Sequence, residues 1–228
     1  MRGDMLIEAS ELDVESDVVV VDCRFNLADP DEGRRLYLES HIPGAHYLHL
    51  NEDLSAPVGK HGGRHPLPDP VILVSRLAQC GIGPETAVVA YDDSRFAFAS
   101  RLWWLMRSLG FRPPRLMDGG FQAWLAGAGA TESGETTPMA RVAGTGTAYA
   151  GCCDIEGLRA AQRASATLVD SREERRYQGL EEPIDPVAGH IPGAVNHPWQ
   201  GVTDASGRAL DETALREHWG ETLDADSL

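Results

Sequence analysis

Basic residues are scarce: 20 Lys and Arg stand against 35 Asp and Glu, a formal charge of −15. That balance argues against nucleic acid as a partner, because gripping a phosphate backbone takes Lys and Arg that displace counterions. It leaves small anions open, since one local Arg can hold an anion in an acidic protein. Cysteines are also few. Cys23, Cys80, Cys152 and Cys153 show neither C-x-x-C spacing nor the pattern of a disulfide framework. A zinc site needs about four suitably spaced ligands, and no such set is visible, so no metal or cofactor is expected. The start, MRGDMLIEASELD, lacks the apolar core of a secretion signal, and no apolar run is long enough to span a bilayer. The expectation is a reduced, cytoplasmic protein with no membrane partner.

What the chain does contain, it contains twice. Asp22-Cys23-Arg24 followed by His41-Ile42-Pro43-Gly44-Ala45 returns as Asp170-Ser171-Arg172 followed by His190-Ile191-Pro192-Gly193-Ala194. The copies lie 148 residues apart at the first motif and 149 at the second. A period this long fits a duplicated domain rather than a solenoid. The boundaries expected are residues 1–130 for the first domain, 131–147 for the linker and 148–228 for the second. Ala126–Thr145, rich in Gly, Ala, Thr and Ser with little periodicity, supplies the linker composition.

Val18–Asp22 (VVVVD) and Thr86–Tyr91 (TAVVAY) read as strands buried on both faces of a parallel sheet. Further short strands are expected at Tyr47–Leu50, Arg115–Met117 and Thr167–Asp170. Helices are expected at Asp31–Ser40, Val71–Cys80, Phe96–Leu109, from Phe121, at Asp154–Gln162 and at Asp211–Glu221. Alternating strands and helices make the fold class α/β, each domain a parallel central sheet flanked by helices. The second copy has nothing to match TAVVAYDDSRFAFASRLWW, so it is expected to be incomplete, with an open apolar sheet edge and poor solubility unless that edge is covered.

In such sheets ligands sit off the carboxyl ends of strands, against helix N-termini. That place in the first copy is the turn Asp92-Asp93-Ser94-Arg95, whose successive amides form a cradle for an anion. Asp92 is expected to fill the cradle with its own carboxylate, although a carboxylate nucleophile is conceivable. His41 and His190 open the same turn in both copies and read as structural. Asp22 and Asp170 are expected to pair with Arg24 and Arg172 or to cap local amides. Cys80 is expected to be buried, and Cys152 and Cys153 to pack at an element start.

The strand ending Asp-X-Arg, the HIPGA turn, the HPLP loop and VVAYDDSRFAFASRLWW together resemble the two-domain rhodanese sulfurtransferases. The resemblance covers essentially the whole chain. It implies an inert first copy whose degenerate active-site loop is Asp92, Asp93, Ser94 and Arg95. It also implies a catalytic second copy carrying a Cys nucleophile in an amide cradle, and by the repeat offset that Cys falls beyond Leu228. No catalytic residue is therefore expected in this chain, which is expected to be inactive by itself. The implied chemistry takes a sulfane sulfur from thiosulfate or 3-mercaptopyruvate onto Cys as a persulfide and passes it to cyanide or a thiol. Arg176 matches the family's substrate-binding Arg; the alternative is a solvated helix charge. Asp185 stands where some thiosulfate-type members carry Asp. His65 matches a loop residue of the substrate cleft, and plain loop structure is its alternative. A non-catalytic rhodanese-like binding or regulatory module is the second reading. A phosphatase with a Cys-based phosphate loop is a third, against which Asp92 argues.

Overall fold

The computed structural model describes residues 2–60, 62–137, 146–220 and 222; part of the expected linker, 138–145, lies outside the described residues. The chain divides into two compact units, residues 1–151 and 152–228.

Unit 1 is built on strands β1 (Leu6–Ile7), β2 (Val18–Asp22), β3 (His46–Tyr47), β4 (Ala87–Tyr91) and β5 (Arg115–Met117). They form one parallel sheet in the order β1-β5-β4-β2-β3. Helices α1 (Arg2–Met5), α2 (Glu32–Glu39), α3 (Pro70–Gln79), α4 (Ala99–Ser108) and α5 (Gly120–Ala126) connect and cover it. The β-branched run of β2 is explained by burial on both sides. Val21, Val88 and Ala90 pack with Leu73 and Leu77 of α3 and Leu102 and Leu105 of α4. Val20, Val89 and Tyr91 face the other way, with Phe121 and Trp124 of α5. Successive strand residues point to opposite faces, so both cores are supplied by the same short apolar strings.

Several elements differ from expectation, the short α1 among them. The third strand is only His46–Tyr47, after which Leu48 N–H still bonds Asp22 O at 3.0 Å. β1 went unread because two residues carry no periodicity. The fourth helix starts at Ala99 rather than Phe96, for a reason given below.

Unit 2 holds α6 (Ile155–Arg163), β6 (Leu168–Asp170), α7 (Glu174–Tyr177), β7 (Ala194–Asn196), a 3-10 turn (Trp199–Val202) and α8 (Glu212–Trp219). β6 and β7 pair in parallel with the same register logic as β2 and β3: Asp170 lies opposite Asn196 as Asp22 lies opposite Tyr47. Burial differs sharply between the copies. Ile42 is fully buried, whereas its counterpart Ile191 is 48% exposed. Cys152 and Cys153 are exposed just before the start of α6, where Asp154 caps the helix by accepting Gly157 N–H at 2.8 Å and Cys153 lies against Gly157. No described helix is long and apolar enough to cross a membrane.

Candidate active-site loop and anion site

β4 delivers Asp92 to the carboxyl edge of the sheet, where it is 3% exposed. Its Oδ1 accepts the N–H groups of Ser94 (2.8 Å) and Phe96 (3.1 Å). Its Oδ2 accepts those of Phe98 and Ala99, both at 2.9 Å. Four amides thus converge on one carboxylate, curled round it by the left-handed backbone of Arg95 (φ 58°) and Phe96 (φ 69°). This delays α4: the amides around Phe96–Ala99 answer to Asp92, so regular helix begins only at Ala99. Burial pushes the Asp92 carboxyl up, and the amide hydrogen bonds act against that. Asp92 O in turn accepts Phe121 N–H at 3.2 Å across Gly120, where an added Cβ would come within 1.9 Å of that oxygen. Asp93, exposed, accepts Gln122 Nε2 at 3.3 Å, and Ser94 O accepts Ala97 N–H at 3.1 Å. The loop is an anion cradle whose anion is its own Asp92.

The repeated motifs build the same circuit in each unit. Arg24 Nη2 lies 2.6 Å from Asp22 Oδ2 and 2.7 Å from Ser40 O. Arg172 Nη2 lies 2.6 Å from Asp170 Oδ2 and 2.6 Å from Gly189 O. In both, Arg ties the strand end to the residue before the HIPGA His. His41 Nδ1 lies 2.7 Å from Tyr37 O, and His190 Nδ1 lies 2.7 Å from Tyr177 O. A carbonyl only accepts, so Nδ1 carries a proton in both rings. Each His also stacks on its Tyr, with centroids 4.1 and 3.8 Å apart. Each Tyr hydroxyl donates to the last residue of the turn, Ala45 or Ala194. These His residues hold a turn shut. The Tyr partners were not legible, because Tyr precedes His by four residues in one copy and thirteen in the other. Nor was Glu132, which contacts His41 Nε2 at 3.2 Å from 91 residues away.

Arg176, on α7, is 9% exposed rather than a solvated helix charge. Its Nε and Nη2 both meet the Glu182 carboxylate, at 2.8 to 3.2 Å, and Nη2 meets Asp185 Oδ2 at 2.7 Å. Glu182 also accepts Ile184 and Asp185 N–H and lies 3.5 Å from Arg172 Nη1. His65 is half-buried, and burial lowers the affinity of its imidazole for a proton. It borders a cleft of about 340 Å³ in unit 1 together with Phe25, Asn51, Ser55 and Arg64. The loop is pinned to α4 by Arg101, whose Nε donates to Leu54 O (2.8 Å) and Nη2 to His65 O (3.0 Å) and Pro66 O (3.1 Å). Asp92, Asp93, Ser94 and Arg95 thus share one loop, His65 lies on another loop of unit 1, and Arg176 belongs to unit 2.

No thiol occupies the cradle. Cys23 and Cys80 are buried, and burial raises both, Cys80 to about 11. Among the described residues, no group of three or more His, Cys, Asp or Glu is arranged to hold a metal.

Residues 7–127 match the family model for the Rhodanese-like domain. The chain belongs to the rhodanese family. Among rhodanese relatives it is 41% identical to a probable 3-mercaptopyruvate sulfurtransferase of Pseudomonas aeruginosa, over 98% of this chain and 81% of that protein. It is 37% identical to the putative thiosulfate sulfurtransferase SseB of Mycobacterium tuberculosis, over 94% of this chain and 77% of that one. A solved rhodanese-fold structure, 3-mercaptopyruvate sulfurtransferase from Leishmania major, superimposes with a TM-score of 0.86 at 29% identity, covering 99% of this chain and 64% of that one. The chain therefore spans about four fifths of these two curated relatives' length and a little under two thirds of that structure's.

The carboxylates of unit 2 set its response to acid. Asp170 is held below the usual carboxylate range by its hydrogen bond to Arg172, and Glu182 by the Asp185 amide and then Arg176. A depressed carboxylate stabilises the fold above its unfolded pKa and loses that contribution as pH falls through the folded value. Unit 2 is expected to hold its structure from pH 7 to about 5 and to loosen below about pH 4. The NMR signals of Tyr177 and His190 across an acid titration check this; persistence of both down to about pH 2 contradicts it.

Proposed function

We propose that this chain forms part of a tandem rhodanese sulfurtransferase, with residues 1–130 and 148–228 belonging to its two domains. It moves a sulfane sulfur from a small anionic donor, thiosulfate or 3-mercaptopyruvate, to a thiol or cyanide acceptor. The relatives' names and the two-fold circuit support this reading, but one observation carries the division of labour. The cradle that would hold a nucleophile in unit 1 is filled by Asp92, bound by four amides. Unit 1 is the inert copy, and its loop Asp92–Arg95 is a degenerate active-site loop. In unit 2, Arg176 holds the donor's oxyanion by charge-assisted hydrogen bonds. His65, which borders the cleft of unit 1, is the second residue assigned to donor binding in this reading.

In this reading the nucleophile is a cysteine outside residues 1–228. Its thiolate attacks the outer sulfur of thiosulfate, forming an S–S bond as sulfite leaves with the electrons of the broken bond. Cyanide then attacks the persulfide's terminal sulfur, giving thiocyanate and restoring the thiolate. No redox partner is required.

Incubated with thiosulfate and cyanide, the 228-residue chain is expected to give no thiocyanate above the uncatalysed rate. Rapid thiocyanate formation would overturn the assignment, since it would require one of the four thiols here to be the nucleophile. The absence of a thiol from the cradle equally favours a non-catalytic rhodanese-like binding module. Turnover by the protein purified from its source would decide for the enzyme; inactivity under the same conditions would decide for the module.

A further inference from the structure

The two copies close the same Tyr–His–Ala circuit with different lengths of chain. In unit 1, α2 runs almost to the turn, and Tyr37 lies four residues before His41. In unit 2, α7 stops at Tyr177, and thirteen residues separate it from His190. The whole segments are nearly equal, 17 residues from Arg24 to His41 and 18 from Arg172 to His190, so the early position of Tyr177 is what leaves nine more residues between Tyr and His in unit 2. What they contain is Glu182 and Asp185, both folded back onto Arg176. Arg176 itself has no counterpart: four residues after Arg24 stands Ala28, where four after Arg172 stands Arg176.

The two carboxylates hold Arg176 differently. Glu182 takes the Nε–Nη2 edge with both oxygens, its side chain is 5% exposed, and two backbone amides anchor it. Asp185 reaches Arg176 with one oxygen, and its side chain is 33% exposed. The linked ion pairs set three carboxylates, Asp170, Glu182 and Asp185, against two guanidiniums, Arg172 and Arg176, an excess of negative charge that disfavours a further anion while Asp185 stays.

We propose that Asp185 is a built-in occupant of the Arg176 anion site, displaced by the sulfur donor, while Glu182 stays in place as the positioning residue that aims the guanidinium. The inference rests on reading Arg176 as the donor-binding residue. It makes Asp185 a specificity-determining residue: a donor binds only if its oxyanion outcompetes a tethered carboxylate, which favours a compact dianion over a singly charged ligand. Donor binding and the outward swing of the segment around Asp185 are then one event.

The test is a titration of the whole chain with sodium thiosulfate at constant, low ionic strength, read from the Arg176 Nε–H NMR signal and from neighbouring amides. Asp185→Asn keeps the size of the side chain and removes its charge. It is expected to bind thiosulfate about tenfold more tightly than the unaltered chain, the order of effect of removing one like charge a few ångströms away near a surface. Arg176→Gln is expected to abolish binding both alone and combined with Asp185→Asn. Glu182→Gln is expected to weaken binding and broaden the Arg176 signal. Equal affinity in Asp185→Asn and the unaltered chain, with binding still lost in Arg176→Gln, would overturn the occupant role and leave Arg176 as the donor site. Binding that survives Arg176→Gln, or no binding in either the unaltered chain or Asp185→Asn, would overturn both.

Discussion

Replacing Asp92 with alanine is expected to destabilise unit 1 by about 4 kcal/mol or more, since each buried polar group left without a partner costs about 1–3 kcal/mol. The amides of Ser94, Phe96, Phe98 and Ala99 all lose their acceptor at once. They are pinned in a loop with two residues at positive φ, so the backbone cannot simply turn them into α4. Asparagine should do little better. Its carbonyl oxygen can serve one pair of amides, but its NH₂ group then faces the N–H groups of the other pair, donor against donor. Denaturant unfolding of the variants, compared through their midpoints at unchanged slope, checks this. A loss under about 1 kcal/mol for both would mean that the cradle does not depend on its carboxylate.

The second large effect concerns Asp22, with the repeat supplying its own control. Asp22 is fully buried, accepts Tyr91 O–H at 2.8 Å and anchors Arg24, which is 4% exposed and lies 4.2 Å from the Phe121 ring centre. Asp22→Ala strands a buried guanidinium, a loss of about 3–5 kcal/mol. The same change at Asp170 breaks the equivalent bond to Arg172, but there the side chains are 13% and 29% exposed and water can replace the partner. The expected loss is roughly 1 kcal/mol. Measured side by side, Asp22→Ala should shift the unfolding midpoint several times further than Asp170→Ala. Equal shifts would show that burial is not what separates the two copies.

Much of the fold was legible because buried parallel strands write themselves as β-branched runs: VVVVD and AVVAY became β2 and β4, side by side. The Asp-X-Arg pairs were also legible, being local. What escaped depends on distance. Glu132 reaching His41 and Arg101 holding Leu54, His65 and Pro66 are fixed by topology, and no spacing rule announces them. The partners of Arg176 were hidden for a subtler reason. Glu182 lies only six residues on, but α7 ends after Tyr177, so ordinary i,i+4 spacing does not apply and the chain must curl back. The start of α4 was misread because the apolar pattern runs through Phe96 and Phe98 without a break, while Asp92 takes their amides from upstream.

Arg101 grips the long loop of unit 1 on both sides, at Leu54 and at His65-Pro66, while residues 57–60, 62 and 63 between those grips are exposed. The two ends are therefore held independently of what joins them. A foreign sequence could be spliced in between Pro57 and Arg64, or the strand cut there, with the flanks still docked on α4. The fold thus comes with a ready port for engineering that leaves the sheet untouched.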